Sequence, residues 1–449
     1  MSLLEEANMI KVYNKNLKKS RYFTGRIDLS IVLSLFILTV SPFIINSYIN
    51  LNSGIKQIDL FVSPEFEGFF GKETAEALLK DFSERNRDLQ IRWLLFIPGQ
   101  SGEVHTRRGS RQNEKDREPD VFIFDEGGYN ALVASGALSD LNFYTNNETG
   151  AAQRAIPLVS FMDVLFYNIE LLTAAGFDRP PKTREEFLSY AKAVSGGGNV
   201  RLANKAGAAI SLSPEDSQAL SRDVFSWIWA AGGDFWAEEN RPVLNNRAVT
   251  DSVSFLGGLF RERVFAPDIF DTTGEDRLEE FAQGRIAMMV ASTRAIPFLR
   301  ERMGDGAFGI TAIPGSGSAG RYSAGLSGIY AGVNANCAYP DEAWRFLEFL
   351  SGQSSSLCEI FRAVPGVVSD IVPGDYVWGD AFYSRAQDIY ESSRIVMGFL
   401  GNKSAVEYEN AFLEEIRLFF ENNRTVQETV AAVQKRWDSV SEIDNARPD

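Results

Sequence analysis

The chain has 449 residues, 45% of them apolar and 23% charged, and a formal net charge of −15. It is long enough for two or three domains with sizeable cores, and so acidic a body is no partner for nucleic acid. His105 is the only histidine, which excludes a multi-histidine metal site and leaves a Ser/His/Asp triad dependent on that one imidazole, so no metal and no cofactor is expected.

In the first 49 residues, Lys11, Lys15, Lys18, Lys19, Arg21 and Arg26 outnumber Glu5, Glu6 and Asp28. All the basic residues precede the uncharged run LSIVLSLFILTVSPFII, Leu29 to Ile45, which extends through Tyr48 and Ile49 to bilayer length. The positive-inside rule then predicts a cytoplasmic tail (1–28), a transmembrane anchor or uncleaved signal (29–49) in contact with inner-membrane lipid, and an extracytoplasmic remainder.

Gln57 to Val62 alternates as a strand and ends at Ser63 and Glu65; a helix follows to Arg85, then a strand from Leu89 to Ile97. Pro98 to Glu118 is polar and mixed in charge, a surface loop or a frayed helix. Asp120 to Phe124 reads as a short strand. At its carboxyl end, where open α/β sheets meet ligands, stand Asp125 and Glu126, which either face a ligand or cap the next helix.

A strand from Val159 to Phe166 carries Asp163 and leads to a helix stopped at Gly176, to Pro180-Pro181, and to a second helix whose Thr183 and Glu186 have capping-box spacing. In DVFSWIWAA, Trp227 and Trp229 fall on different faces of a helix, one for the core and the other facing a groove. Strands are expected at Ile286 to Val290, Ala307 to Ile313 and Leu326 to Val333, with Thr293 and Arg294 leaving the first and Ser327 in the last. Cys337 and Cys358 are either bonded or two separate buried thiols. The last hundred residues are mostly helical, with a loop from Pro365 to Trp378. Strands alternating with helices of crossover length argue for α/β lobes with mainly parallel sheets.

The order Pro119-Asp120-Val121, Gly136-Ala137-Leu138, Leu165-Phe166-Tyr167-Asn168, Ala175-Gly176-Phe177, Pro180-Pro181-Lys182-Thr183, Ala231-Gly232-Gly233-Asp234-Phe235, Phe281 to Met289, Ile313-Pro314-Gly315 and Ala343-Trp344-Arg345-Phe346-Leu347 resembles the solute-binding proteins of ABC importers, in the large sugar-type family that includes maltose-binding proteins. The closing Thr425 to Val430 and Gln434 to Trp437 are similar to that family's last helix, so the likeness spans nearly all of residues 56–440. It implies a two-lobed periplasmic-binding-protein-like fold with a hinge and interlobe cleft, lobe I from 56–163 plus 307–350 and lobe II from 164–306 plus 351–449.

It further implies capture of a small solute, a sugar or sugar derivative, for ABC permease subunits, with no catalysis. The expected contacts are Ser63, Glu65, Asp125, Glu126, Asp163, Trp229, Thr293, Arg294, Ser327, and an aromatic from Trp378 or Tyr408. Two departures stand out. Arg294 occupies a place where sugar-binding members commonly carry a tryptophan, and no lipobox cysteine is present. Arg294 either holds an anionic ligand group or pairs with a surface acid. Two other functions remain open: a sensing or docking subunit of the same fold, and a glycosidase using paired acids such as Asp125 and Asp163.

Overall fold

Alternation buries Ile58, Leu60 and Val62 in the first strand, β1 (Lys56–Val62), but Asp59 between them is buried too. It is compensated: Arg92 donates to both carboxylate oxygens, at 2.8 and 2.5 Å. The computed structural model describes residues 55–63, 72–94, 118–145, 153–198, 200–216, 219–236, 242–244, 246–315, 322–363, 377, 379–396, 398–421 and 424–446. The predicted membrane segment and the polar stretch after Pro98 lie outside them; among the described residues no helix is long and apolar enough to cross a membrane. Chain contacts divide the protein into two units.

The first unit holds the described residues up to Ile123, together with Asn336–Phe346. Helix α1 (Lys72–Arg85) connects β1 to β2 (Leu89–Leu94), and β1 lies between β2 and β3 (Val121–Phe124), parallel to both. Parallel pairing is what a helical crossover produces. Phe82 of α1 packs edge-to-face on Phe346 at 5.1 Å, and Lys56 pairs with Glu342 at 2.5 Å.

The second unit comprises Phe124–Ala335 and Leu347–Asp449. It opens with α2 (Glu126–Ala134) and then β4 (Ile156–Asn168), a 13-residue strand buried along nearly its whole length. Next come α3 (Ile169–Ala174), α4 (Arg184–Ser195), a π-helical turn at Ser221–Phe225 that runs into α5 (Ser226–Ala230), and α6 (Arg247–Arg261). The later strands are β5 (Met288–Ser292), β6 (Phe308–Thr311), β7 (Tyr322–Val333) and β8 (Ser393–Val396), followed by α7 (Ala405–Phe420) and α8 (Val426–Ala446).

Here the expectation of mainly parallel sheets needs correction. β4 is antiparallel to all three of its partners: β7 along its first half, β5 and β6 along its second. These partners arrive from more distant parts of the chain, so no single crossover helix sets their direction. β7 also begins earlier than Leu326, because its first residues pair in parallel with β8, a strand the sequence reading did not contain.

Among the described residues one hydrophobic cluster surrounds Phe225, Phe399 and Trp437, and another Phe166, Phe281 and Phe308. At the start of α4 only half of the predicted capping box forms. The Thr183 hydroxyl accepts the Glu186 N–H at 3.2 Å, but the Glu186 carboxylate goes to the Lys182 N–H and to Arg179. Cys337 and Cys358 are not bonded to each other, and of the two only Cys358 is buried; Cys337 is half-buried, which corrects the expectation of two buried thiols.

Candidate functional site

The turn from β3 into α2 separates two neighbouring acids. Asp125 is the N-cap of α2 and accepts the Gly128 N–H at 2.8 Å, so one of its two readings, the cap, is realised. Glu126 instead accepts the Gly328 N–H of β7. Burial pushes the Glu126 carboxyl up to about 8, and the charges of Asp125 and Asp163 add to the rise; backbone N–H groups, including that of Gly328, oppose it.

Asp163 projects from β4 opposite Ser292 of β5. Its carboxylate accepts the Ser226 hydroxyl at 3.0 Å. Burial lifts its pKa to about 6, against the pull of the nearby Arg222 guanidinium and of Ser226. Both acids are half-buried, each keeping some accessible surface.

Behind Asp163, Arg222 bridges Asp216 at 3.1 Å and Asp223 at 3.2 Å. The π-helical turn places Arg222 and Asp223 just ahead of Ser226, and such turns recur at functional sites. One turn further, Trp229 is only 2% exposed. Trp227 is buried as well, so neither tryptophan faces an open groove and that expectation is corrected. The two rings fill a continuous aromatic core in which Phe187 and Phe255 take Trp227 while Phe225 and Phe235 take Trp229.

Beside the acids, Tyr129 sits between Phe124 and Tyr330, with ring centroids 5.6 Å away on either side. Ser226 is itself fully buried, so what these residues can offer a ligand is the acceptor oxygens of Asp163, a Glu126 carboxyl that keeps its proton to about 8 and so can also donate, and the neighbouring tyrosine rings. The charge of Asp163 favours a ligand rich in donors over one carrying negative charge.

The other expected residues are dispersed. Ser63 ends β1 in the first unit, where its N–H bonds the Ile123 carbonyl at 2.9 Å. Thr293 is fully buried and its hydroxyl accepts the Met162 N–H at 3.2 Å. Arg294 lies in the short 3-10 turn after β5, its N–H directed to the Ser292 hydroxyl. Ser327 is half-buried in β7, paired with Phe161. Tyr408 is a core residue, its ring stacked on Phe399 and its hydroxyl 3.0 Å from Ser441. Glu65, Trp378 and His105 fall outside the described residues. Ser226, Tyr129 and Gly328 went unnoticed in the sequence; the one available signal was a serine three places before Trp229, which puts both on one helical face.

Among the described residues no group of three or more His, Cys, Asp or Glu side chains is arranged to hold a metal. The surface hollow that contains Arg300 is not an open anion site, because Asp305 and Asp380 already take that guanidinium.

Residues 71–355 match the family model described as bacterial extracellular solute-binding protein. A Deinococcus radiodurans protein described as an ABC transporter-binding protein is 26% identical over 254 residues, 55% of this chain and 59% of that one, so the match spans little more than half of the relative's length. Among solved structures, the cyclic alpha-maltosyl-1,6-maltose binding protein from Arthrobacter globiformis superposes with a TM-score of 0.67 at 17% identity, covering 86% of this chain and 99% of its own. UgpB from Mycobacterium tuberculosis, in complex with glycerophosphocholine, gives 0.65 at 17% identity over 87% and 99%. At such identities the likeness is one of fold. The family match covers more than half of the chain and agrees with that fold: this protein belongs to the bacterial extracellular solute-binding protein family.

Proposed function

We propose that this chain is the solute-binding component of an ABC importer, held at the outer face of the cytoplasmic membrane by residues 29–49, which captures a polyhydroxylated solute and hands it to a permease. The two lobes of the proposal are 56–163 plus 307–350 and 164–306 plus 351–449. Their closure on the solute is the state the permease would recognise, and the solute favours it by its differential affinity for the closed form.

The observation that carries this reading is the pair of half-buried acids Glu126 and Asp163, the first on the Gly328 N–H and the second on the Ser226 hydroxyl, near enough for the charge of Asp163 to act on Glu126. Sugar hydroxyls can donate to the Asp163 carboxylate and exchange hydrogen bonds with the Glu126 carboxyl, which keeps its proton at neutral pH, whereas a phosphate or carboxylate would be repelled by the charge of Asp163. A maltosyl saccharide bound by one protein of the same fold agrees with this choice. Arg294 is then not a primary ligand contact.

Thermal-shift screening of the purified protein against sugars, polyols, sugar phosphates and amino acids tests the proposal, since a ligand at 100 times its dissociation constant adds about 2.7 kcal/mol of stability. Stabilisation by neutral saccharides and not by their phosphates is the expected result. Stabilisation by anions alone, abolished in Arg294→Ala, would overturn it.

A further inference from the structure

Trp229 is buried to 2% exposure, yet among the described residues its indole Nε1 has no hydrogen-bond partner. The fold supplies acceptors to comparable indoles: Trp437 donates to the Tyr408 carbonyl and Trp236 to the Gly398 carbonyl, each at 2.8 Å. Buried donors are almost always paired, so one left alone in a family of binding proteins is a place to look for ligand.

The surroundings of Trp229 are built from glycine. A Cβ at Gly325 would stand 2.4 Å from the indole Cζ3, and 3.2 Å from Asp163 Oδ2, so ring and carboxylate meet at that glycine. A Cβ at Gly398 would stand 3.2 Å from Cζ2. Gly398 and Gly401 have φ of +55° and +72°, conformations that side chains other than glycine's resist, and these let the segment Gly398–Gly401 lie against Trp229 at one end and Tyr129 at the other. The Gly398 carbonyl accepts from Trp236. At the far end the segment is tied down by the Gly401 N–H, which donates to Asn130 Oδ1 at 2.7 Å.

We propose that the Trp229 indole N–H is a donor reserved for the solute, and that Gly398–Gly401 is a cover released when the Asn130 tie breaks. This rests on the solute-binding reading above and sharpens it: the ligand carries several hydroxyls, one accepting from Trp229 while another donates to Asp163. Trp229 thus acts as a hydrogen-bonding group, with its ring faces committed to the core.

The test uses the full chain with maltose, sorbitol and glycerol as probes. In ¹H–¹⁵N spectra the Trp229 indole resonance, assigned by its loss in Trp229→Phe, should lie at the position of an unbonded indole without probe and move downfield on binding. Trp229→Phe should weaken binding of whichever probe the wild type holds by tenfold or more. Indole hydrogen exchange should quicken in Asn130→Leu but not in Asn130→Asp, which keeps the acceptor. Equal affinity of wild type and Trp229→Phe, or an indole already bonded in the free protein, overturns the donor role; equal exchange in all three proteins overturns the cover. Wild type that binds no probe overturns the polyol reading itself, a failure distinct from the other two.

Discussion

Asp125 and Glu126 are consecutive in the chain yet serve different partners: Asp125 accepts the Gly128 N–H within its own helix, and Glu126 accepts the Gly328 N–H of β7. Their variants should therefore separate. Asp125→Ala removes a helix cap and should cost about 1 kcal/mol of stability while solute affinity stays near wild type. Glu126→Ala should weaken solute binding tenfold or more. Denaturant unfolding and calorimetric titration on the same two proteins check both; a loss of affinity confined to Asp125→Ala would reverse the assignment.

The raised carboxyls make stability fall as pH rises. Glu126 in the folded protein holds its proton up to about 8 and Asp163 up to about 6, against ordinary values of 4.5 and 3.8. Between each pair of values the folded state binds more protons than the unfolded state, so the penalty begins near pH 4, grows through Asp163 first, and is complete above about pH 8. The slope contributed by each group is at most about 1.4 kcal/mol per pH unit. Glu126→Gln, which keeps an acceptor for Gly328 but cannot ionise, should flatten the fall between pH 6 and 8. An identical pH profile in that variant would show that Glu126 does not titrate there.

Ser226 should tune Asp163. Removing its hydroxyl in Ser226→Ala takes away a hydrogen bond to the charged form, so the Asp163 pKa should rise further above about 6. Solute affinity at neutral pH should drop several-fold and recover partly at higher pH, where Asp163 ionises again. Carboxyl NMR titration and binding at two pH values measure the two effects; an unchanged titration would place Ser226 in the core alone.

Much of the α/β frame was legible because its signals are local. β1, β4 and α4 follow from alternation, apolar runs and caps, and Gly176 takes the positive φ, +91°, that its place after α3 required. What stayed hidden depends on partners remote in sequence. β8 has only four residues and exists because it pairs with the start of β7. The role of Ser226 was masked by the tryptophans around it, whose composition reads as core and is core. The π-helical turn leaves no mark in composition, since one extra residue per turn changes register and not residue type. The sequence points to Asp163 and Glu126 singly, but their proximity comes from the pairing of β4 with β7, which no local pattern encodes.

The charged group behind the site gives the most demanding prediction. Arg222, Asp216 and Asp223 have side chains 16%, 14% and 4% exposed, and the two aspartates share the single guanidinium. Forming such a cluster yields little net stability, because the desolvation of three charges offsets their attraction; breaking it is different, since Arg222→Leu strands two acids in a poorly solvated place. That variant should lose about 3–5 kcal/mol. It should also raise the Asp163 pKa, because the Arg222 charge is the first influence opposing burial there. Replacing all three residues by apolar ones of similar size should restore most of the stability and leave Asp163 still raised, which separates the packing role of the cluster from its electrostatic one. Urea unfolding with an Asp163 titration on both variants decides the matter. A loss below about 1 kcal/mol in Arg222→Leu would mean that the cluster behaves as a solvated surface bridge, and the rise assigned to burial at Asp163 would then need another cause.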